Sequence, residues 1–235
     1  MKRALPFIII ALVLIAGVAA FVIFSSQRAG SNNAGVLVTQ PTGSTGSASS
    51  QASPTSTVSV TKPNVKVSSP VVLEEYGDYQ CPPCGILFPV LKQIEHEYGD
   101  QLRVVFRHFP LTKIHKNAMM AAQAAEAAGN QGKFSQMHDR LYGTQNAWKD
   151  LADPRPMFIG YARELGLNTE QFTRDMDSAA VAQRIASDMQ RGSNVGVSGT
   201  PTVFIDGQLL RYEATTPDGI RQGINYMLQR KAAGR

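Results

Sequence analysis

The chain carries two cysteines, Cys81 and Cys84, set three apart as Cys81-Pro82-Pro83-Cys84. Thiol chemistry needs a thiolate as the attacking group, so the first question is what would ionise one of them. A short apolar run precedes the motif and an amphipathic pattern follows it, which places Cys81 at the first turn of a helix. Unpaired backbone N–H groups and the helix macrodipole favour negative charge there. Such settings bring a thiol pKa from about 8.5 into the range ~3.5–7.5. Pro82 and Pro83 remove the backbone N–H groups in the middle of the turn and fix its shape. Cys84, about one turn further in, is expected to be the more buried thiol, suited to resolving a mixed disulfide.

Other uses of a cysteine pair fit less well. A CxxC loop is too small to add much stability as a staple. A zinc site would need two further ligands, and no second CxxC or closely spaced histidine pair exists. His96, His108, His115 and His138 are scattered, and so are methionines such as Met119 and Met120, which argues against a copper-binding stripe. No metal is expected, and no cofactor beyond a redox-active Cys81–Cys84 disulfide.

The elements that must position this motif can be read on either side of it. Pro70 to Tyr76 is β-branched-rich and reads as a buried strand ending in a loop at Gly77-Asp78-Tyr79-Gln80. After Cys84, Ile86, Val90 and Ile94 recur at helical spacing to about Tyr98, with Pro89 expected to kink the helix. Leu102 to Phe109 alternates as a second strand, so the order strand–helix–strand predicts a parallel βαβ unit. From about Lys116 to Val195 the pattern is helical, with Asn168 as an N-cap and Leu167 positioned to staple against Phe172. Thr202–Ile205 then reads as a strand, Asp206-Gly207 as a hairpin turn and Gln208–Arg211 as the return strand. A last helix opens at Thr216-Pro217, with Ile220, Ile224, Met227 and Leu228 on its apolar face.

Taken together, the stretch from about Val71 to Arg230 resembles the DsbA-like thioredoxin-fold thiol–disulfide oxidoreductases. Cys81-Pro82-Pro83-Cys84 looks like their redox motif, Pro89 like their helix proline, and Glu75, six residues before Cys81, like their buried carboxylate. Val197-Ser198-Gly199-Thr200-Pro201-Thr202 looks like their cis-proline loop. The resemblance implies an α/β thioredoxin fold with a helical insertion over about 112–195. It implies catalytic roles for Cys81, Cys84, Pro201 and Glu75, and substrate contacts at Thr200, Pro82 and Pro83. The Thr200 backbone would pair with a substrate strand beside the cysteines. Glu75, if buried, would have a raised pKa and could pass a proton to or from Cys84. The plainer readings are a trans proline at a strand start and a carboxylate satisfied in a network without kinetic work. Glu74 points to the opposite face of the strand. Arg107 and His108 read as structural, and Trp148 and Tyr161 as packing residues of the insertion.

Composition sets the surroundings. Lys2 and Arg3 precede an uncharged apolar run ending at Phe24, long enough to span a bilayer as a helix of roughly 20 residues. Charge placement keeps the N-terminus cytoplasmic. A cleavable signal peptide is the alternative, but the apolar run continues past Gly17-Val18-Ala19-Ala20. Residues 1–24 are therefore read as a transmembrane signal-anchor and residues 25–66, rich in Ser, Thr, Gly and Pro, as a disordered linker. Residues 67–235 form the folded domain. Net charge is +5 with basic residues scattered, so no nucleic-acid partner is expected. The expected setting is a single-pass, monomeric cell-membrane protein with its C-terminal domain on the extracytoplasmic side. There it would exchange disulfides with exported proteins carrying free thiols or disulfides, and a membrane redox partner would recycle it. The resemblance implies that partner. Dithiol oxidation is preferred over a reductase or isomerase, because isomerases of this fold usually carry a dimerisation domain and residues 25–66 are too polar to be one. A chaperone-like or metal-carrying module is the remaining alternative.

Overall fold

The computed structural model describes residues 62–234. The anchor read at residues 1–24 and the linker residues up to 61 lie outside them. Among the described residues no helix is long and apolar enough to cross a membrane. Residues 62–66 already engage the domain: Lys62 Nζ donates to the Tyr98 carbonyl at 3.0 Å, and Gln101 Nε2 donates to the Val65 carbonyl.

Strand β1 (Val71–Gly77) runs into helix α1 (Pro82–Tyr98), which continues through Pro89 and leads by a single 3-10 turn to β2 (Leu102–His108). β1 and β2 pair in parallel, Val71 opposite Leu102 and Gly77 opposite His108. Six helices follow: α2 (Ala118–Gly129), α3 (Phe134–Gly143), α4 (Gln145–Trp148), α5 (Arg155–Glu164), α6 (Thr169–Met176) and α7 (Ala179–Asn194). Then come β3 (Thr202–Ile205), β4 (Gln208–Leu209) and α8 (Pro217–Ala232). The sheet order is β2-β1-β3-β4, with β3 antiparallel to both of its neighbours.

The local signals account for most boundaries. Asp206 and Gly207 both take positive φ, 47° and 78°, as a two-residue hairpin turn of the favoured hand requires. Asn168 Oδ1 accepts the Gln171 N–H at 2.9 Å and opens α6, while Thr216 Oγ1 does the same for Gly219 and α8. Leu167 and Phe172 share one apolar cluster. The return strand is shorter than its expected span of Gln208–Arg211. Leu210 N–H still reaches the Val203 carbonyl at 2.8 Å, but Arg211 turns away into a 3-10 turn at Tyr212–Ala214. The second strand likewise stops at His108, although the Phe109 N–H still bonds the Gly77 carbonyl.

Period-two alternation then sorts the sheet residues. Val71 and Leu73 face α1 and α8, packing with Leu87, Leu91, Ile94, Ile224 and Leu228. Tyr76 faces the other side and packs with Phe109, Val197 and Phe204. Glu75 shares the parity of Val71 and Leu73, so the strand aims a carboxylate into the layer beneath α1. Cys81 and Cys84 belong to a third cluster, built mainly from the helical insertion around Ala124, Trp148, Phe158 and Phe172.

Candidate active site

Cys81 is the N-cap of α1, in extended conformation (φ −70°, ψ 120°), and Pro82 and Pro83 form the first exposed positions of the helix. Its N–H donates to the Asp78 carbonyl at 3.0 Å, and its carbonyl accepts the Gly85 N–H at 3.2 Å. Both cysteines are free thiols. Cys84 is fully enclosed and Cys81 is 4% exposed.

The two thiols are driven apart. Hydrogen bonding from the Cys84 side chain is the largest influence on Cys81, and burial opposes it. The Thr200 side chain and the Cys84 backbone N–H add to the lowering, and the Asp78 charge works against it. The outcome is a Cys81 pKa lowered from 9.0 to about 6. Burial, followed by its bond to Cys81 and the charge of Glu75, pushes Cys84 well above the ordinary thiol range.

Glu75 lies on β1 opposite Phe106 of β2 and Val203 of β3. Burial, with the Cys81 charge second, raises its pKa from 4.5 to about 8, and its Oε1 has no hydrogen-bond partner. A cavity of about 180 Å³ lies against it, bordered by Lys92, Ser135, His138 and Asp139. Glu74, one residue earlier, faces the other way and pairs with Arg107 and Arg191. The peptide between Thr200 and Pro201 is cis. The Thr200 carbonyl lies 3.3 Å from Cys81 Sγ, which donates to it. The structure thus gathers Cys81, Cys84, Glu75, Thr200 and Pro201 around one sulfur, with Pro82 and Pro83 at the surface beside it. Arg107 and His108 are occupied elsewhere, by Glu74 and Asp188 and by Glu126. Trp148 and Tyr161 pack inside the helical cluster.

A polar frame around the motif escapes sequence reading. Asp78 accepts from the Gln80 N–H at 2.7 Å and the Leu111 N–H at 2.9 Å, and His115 Nδ1 lies 2.7 Å from its Oδ2. Gln80 accepts from the Asn117 N–H and donates to the Lys149 carbonyl, both at 2.7 Å. Gln145 Nε2 donates to the carbonyls of Tyr79 (2.7 Å) and Cys81 (3.0 Å). Only Asp78, in a Gly-Asp turn just before the motif, carried a local signal. Gln80, Asn117 and Gln145 meet across long loops, which no periodicity announces. Among the described residues no group of three or more His, Cys, Asp or Glu side chains could hold a metal ion.

A helix-N-terminal thiol, a buried partner thiol, a buried carboxylate and a cis-proline loop together form a thioredoxin-like arrangement. The DSBA-like thioredoxin domain model matches residues 72–224, and the chain belongs to that family. Among solved structures it is similar to a thioredoxin-like oxidoreductase from Silicibacter pomeroyi (TM-score 0.56, 26% identity, 72% of this chain and 94% of that one). It shares its fold with oxidised BdbD from Bacillus subtilis (TM-score 0.58, 18% identity, 72% and 91%). Among curated proteins it is 41% identical over 140 residues to Na(+)/H(+) antiporter NhaA 1 from Salinispora arenicola, a match covering 60% of this chain and 21% of the antiporter. The Herminiimonas arsenicoxydans antiporter NhaA is 38% identical over 148 residues, 62% of this chain and 22% of its own. The chain thus spans about a fifth of the length of these antiporters.

Proposed function

We propose that Cys81 and Cys84 form a reversible redox couple that introduces disulfides into exported proteins. The observation that carries this reading is the split between a thiol lowered to about 6 and a neighbour held well above 9.0. In the oxidised pair, a substrate thiolate attacks Cys81 Sγ, the Cys81–Cys84 bond breaks, and Cys84 leaves with the electron pair. Its high proton affinity calls for a proton, and Glu75, with a pKa of about 8, is protonated at neutral pH and stands beside it. A second substrate thiolate then attacks the substrate sulfur of the mixed disulfide. Cys81 departs as a thiolate, a good leaving group because its pKa is low. The substrate has lost two electrons and the pair has gained them.

Substrate chain would lie along the cis-proline loop. The groove there, about 380 Å³, is bordered by Thr200 and Pro201 and by the exposed side chains of Val195, Leu209 and Tyr212. Such a surface suits an extended, unfolded segment. The same reading places the domain outside the cytoplasm, tethered by residues 1–24, with Pro82 and Pro83 facing its partners and a membrane redox protein reoxidising it. The occurrence of a similar domain within chains named as membrane antiporters supports a site of action next to the bilayer. The test is the Cys81–Cys84 reduction potential of the full chain in glutathione buffer. A value well above the roughly −270 mV of thioredoxin supports oxidation, and a value at or below it assigns the pair to reduction.

A further inference from the structure

Gln145 is a buried glutamine of the short helix α4, and both of its amide hydrogen bonds end on the nucleophile's turn. The Tyr79 and Cys81 carbonyls converge on its Nε2 at 2.7 and 3.0 Å. The Cys81 carbonyl also takes the first helical bond of α1, from Gly85. Two backbone carbonyls of the nucleophile's turn are thus held by one amide from the helical insertion. The sequence has made room for it: a Cβ at Gly85 would come within 2.7 Å of Gln145 Oε1. We propose that Gln145 is a positioning residue for the reaction, holding the Cys81 carbonyl so that Sγ stays over the Cys84 N–H, the first that α1 offers after its two prolines, and the thiolate persists. The proposal rests on the redox couple described above and adds to it that the helical insertion sets the nucleophile's reactivity. Releasing the amide leaves the Cys81 carbonyl held by the Gly85 N–H alone, so the turn loosens beneath the sulfur.

The experiment titrates the Cys81 thiolate by its absorbance near 240 nm and measures the glutathione equilibrium on the full chain. Four proteins are compared: wild type, Gln145→Met, Gly85→Ala and Phe172→Leu. Gln145→Met keeps length and removes the donor. Gly85→Ala keeps the donor and displaces it, through a flexible amide that can move. Phe172→Leu weakens the core of the insertion without touching the turn. The strength of one ordinary hydrogen bond, felt at the sulfur, corresponds to a rise of about half to one pKa unit in both turn variants. That is a two- to fivefold smaller thiolate fraction near pH 6, with the glutathione equilibrium moving on the order of threefold to tenfold toward the disulfide. Phe172→Leu lowers Tm and leaves both readings unchanged. If Gln145→Met does not fold, Gly85→Ala decides alone. Wild-type titration and equilibrium in either soluble turn variant overturn the proposal, as does an equal shift in Phe172→Leu. A wild-type protein that does not equilibrate with glutathione at all defeats the redox reading itself, whatever the variants do.

Discussion

At the residue scale the chemistry is an imbalance between neighbours. Cys81 and Cys84 share a turn of helix, yet one is stabilised as a thiolate and the other is not, because the Cys84 thiol donates to Cys81 while burial holds Cys84 itself protonated. Replacing Cys84 with serine should therefore leave an attacking thiolate that cannot be resolved. Incubated with a substrate disulfide, that variant accumulates a mixed disulfide visible on a non-reducing gel, while Cys81→Ser forms none. Glu75 makes a second prediction, whose sign follows from its raised pKa. The folded chain holds this proton up to about pH 8, whereas a pKa of 4.5 applies once the chain unfolds. Stability from this group is complete below pH 4.5 and is lost as pH rises toward 8, by on the order of 4–5 kcal/mol at 1.36 kcal/mol per unit. Urea melts of oxidised wild type and oxidised Glu75→Gln at pH 5 and pH 8 measure it, with no thiol left to ionise. The wild type should lose about 3–4 kcal/mol of it over that interval and the glutamine variant should not. Equal losses would mean that Glu75 is ionised or solvated in the folded state.

At the scale of elements, what mattered was how far a signal reaches along the chain. Runs, caps and turns act over a few residues, so β1, α1, the Asp206-Gly207 hairpin and the Asn168 and Thr216 caps follow from local chemistry. Glu75 could be aimed at the cysteines because strand parity carries direction as well as identity. Gln145, Gln80 and Asn117 could not be placed, since each bonds a backbone group more than thirty residues away. The shortened β4 has the same origin: Arg211 leaves the sheet because of the 3-10 turn beyond it, which composition does not mark. Helix α7 supplies a prediction at this scale. A Cβ at Gly192 would meet the Tyr76 ring at 2.9 Å and Phe109 at 3.0 Å, so the helix lies on the sheet only where that side chain is missing. Gly192→Ala should cost about 1–3 kcal/mol by overpacking. Asn168→Ala, which removes a cap far from that contact, should cost about 1 kcal/mol. Neither should move the Cys81 titration. Thermal melts paired with that titration check both statements, and a Gly192→Ala protein as stable as wild type would show that α7 can lift away without loss.

At the scale of the whole molecule, the redox state and the stability of the fold are one equilibrium seen from two sides. The cysteines sit in the core cluster of the helical insertion, and the carboxylate coupled to them by charge hangs from the sheet, so both halves feel the state of the pair. In the reduced protein, folding lowers the Cys81 pKa from 9.0 to about 6. A depressed pKa adds stability that is complete above the unfolded value and is lost as pH falls through the folded one. By linkage the reduced form should gain stability as pH rises from 6 to 9, on the order of 3 kcal/mol across the interval. The oxidised form has no thiol to ionise and gains none of it. Burial of Glu75 acts in both forms, so its opposite slope largely drops out when one is subtracted from the other. Denaturant unfolding of the reduced and the oxidised protein at pH 6, 7 and 8 isolates the Cys81 contribution. The stability difference should move in favour of the reduced form at each step. A folded state that prefers the dithiol surrenders its disulfide readily, which makes the protein an oxidant of other thiols. A difference that stays level with pH would mean that folding does not hold the thiolate. The drive toward oxidising substrates would then have to come wholly from the recycling partner rather than from the fold.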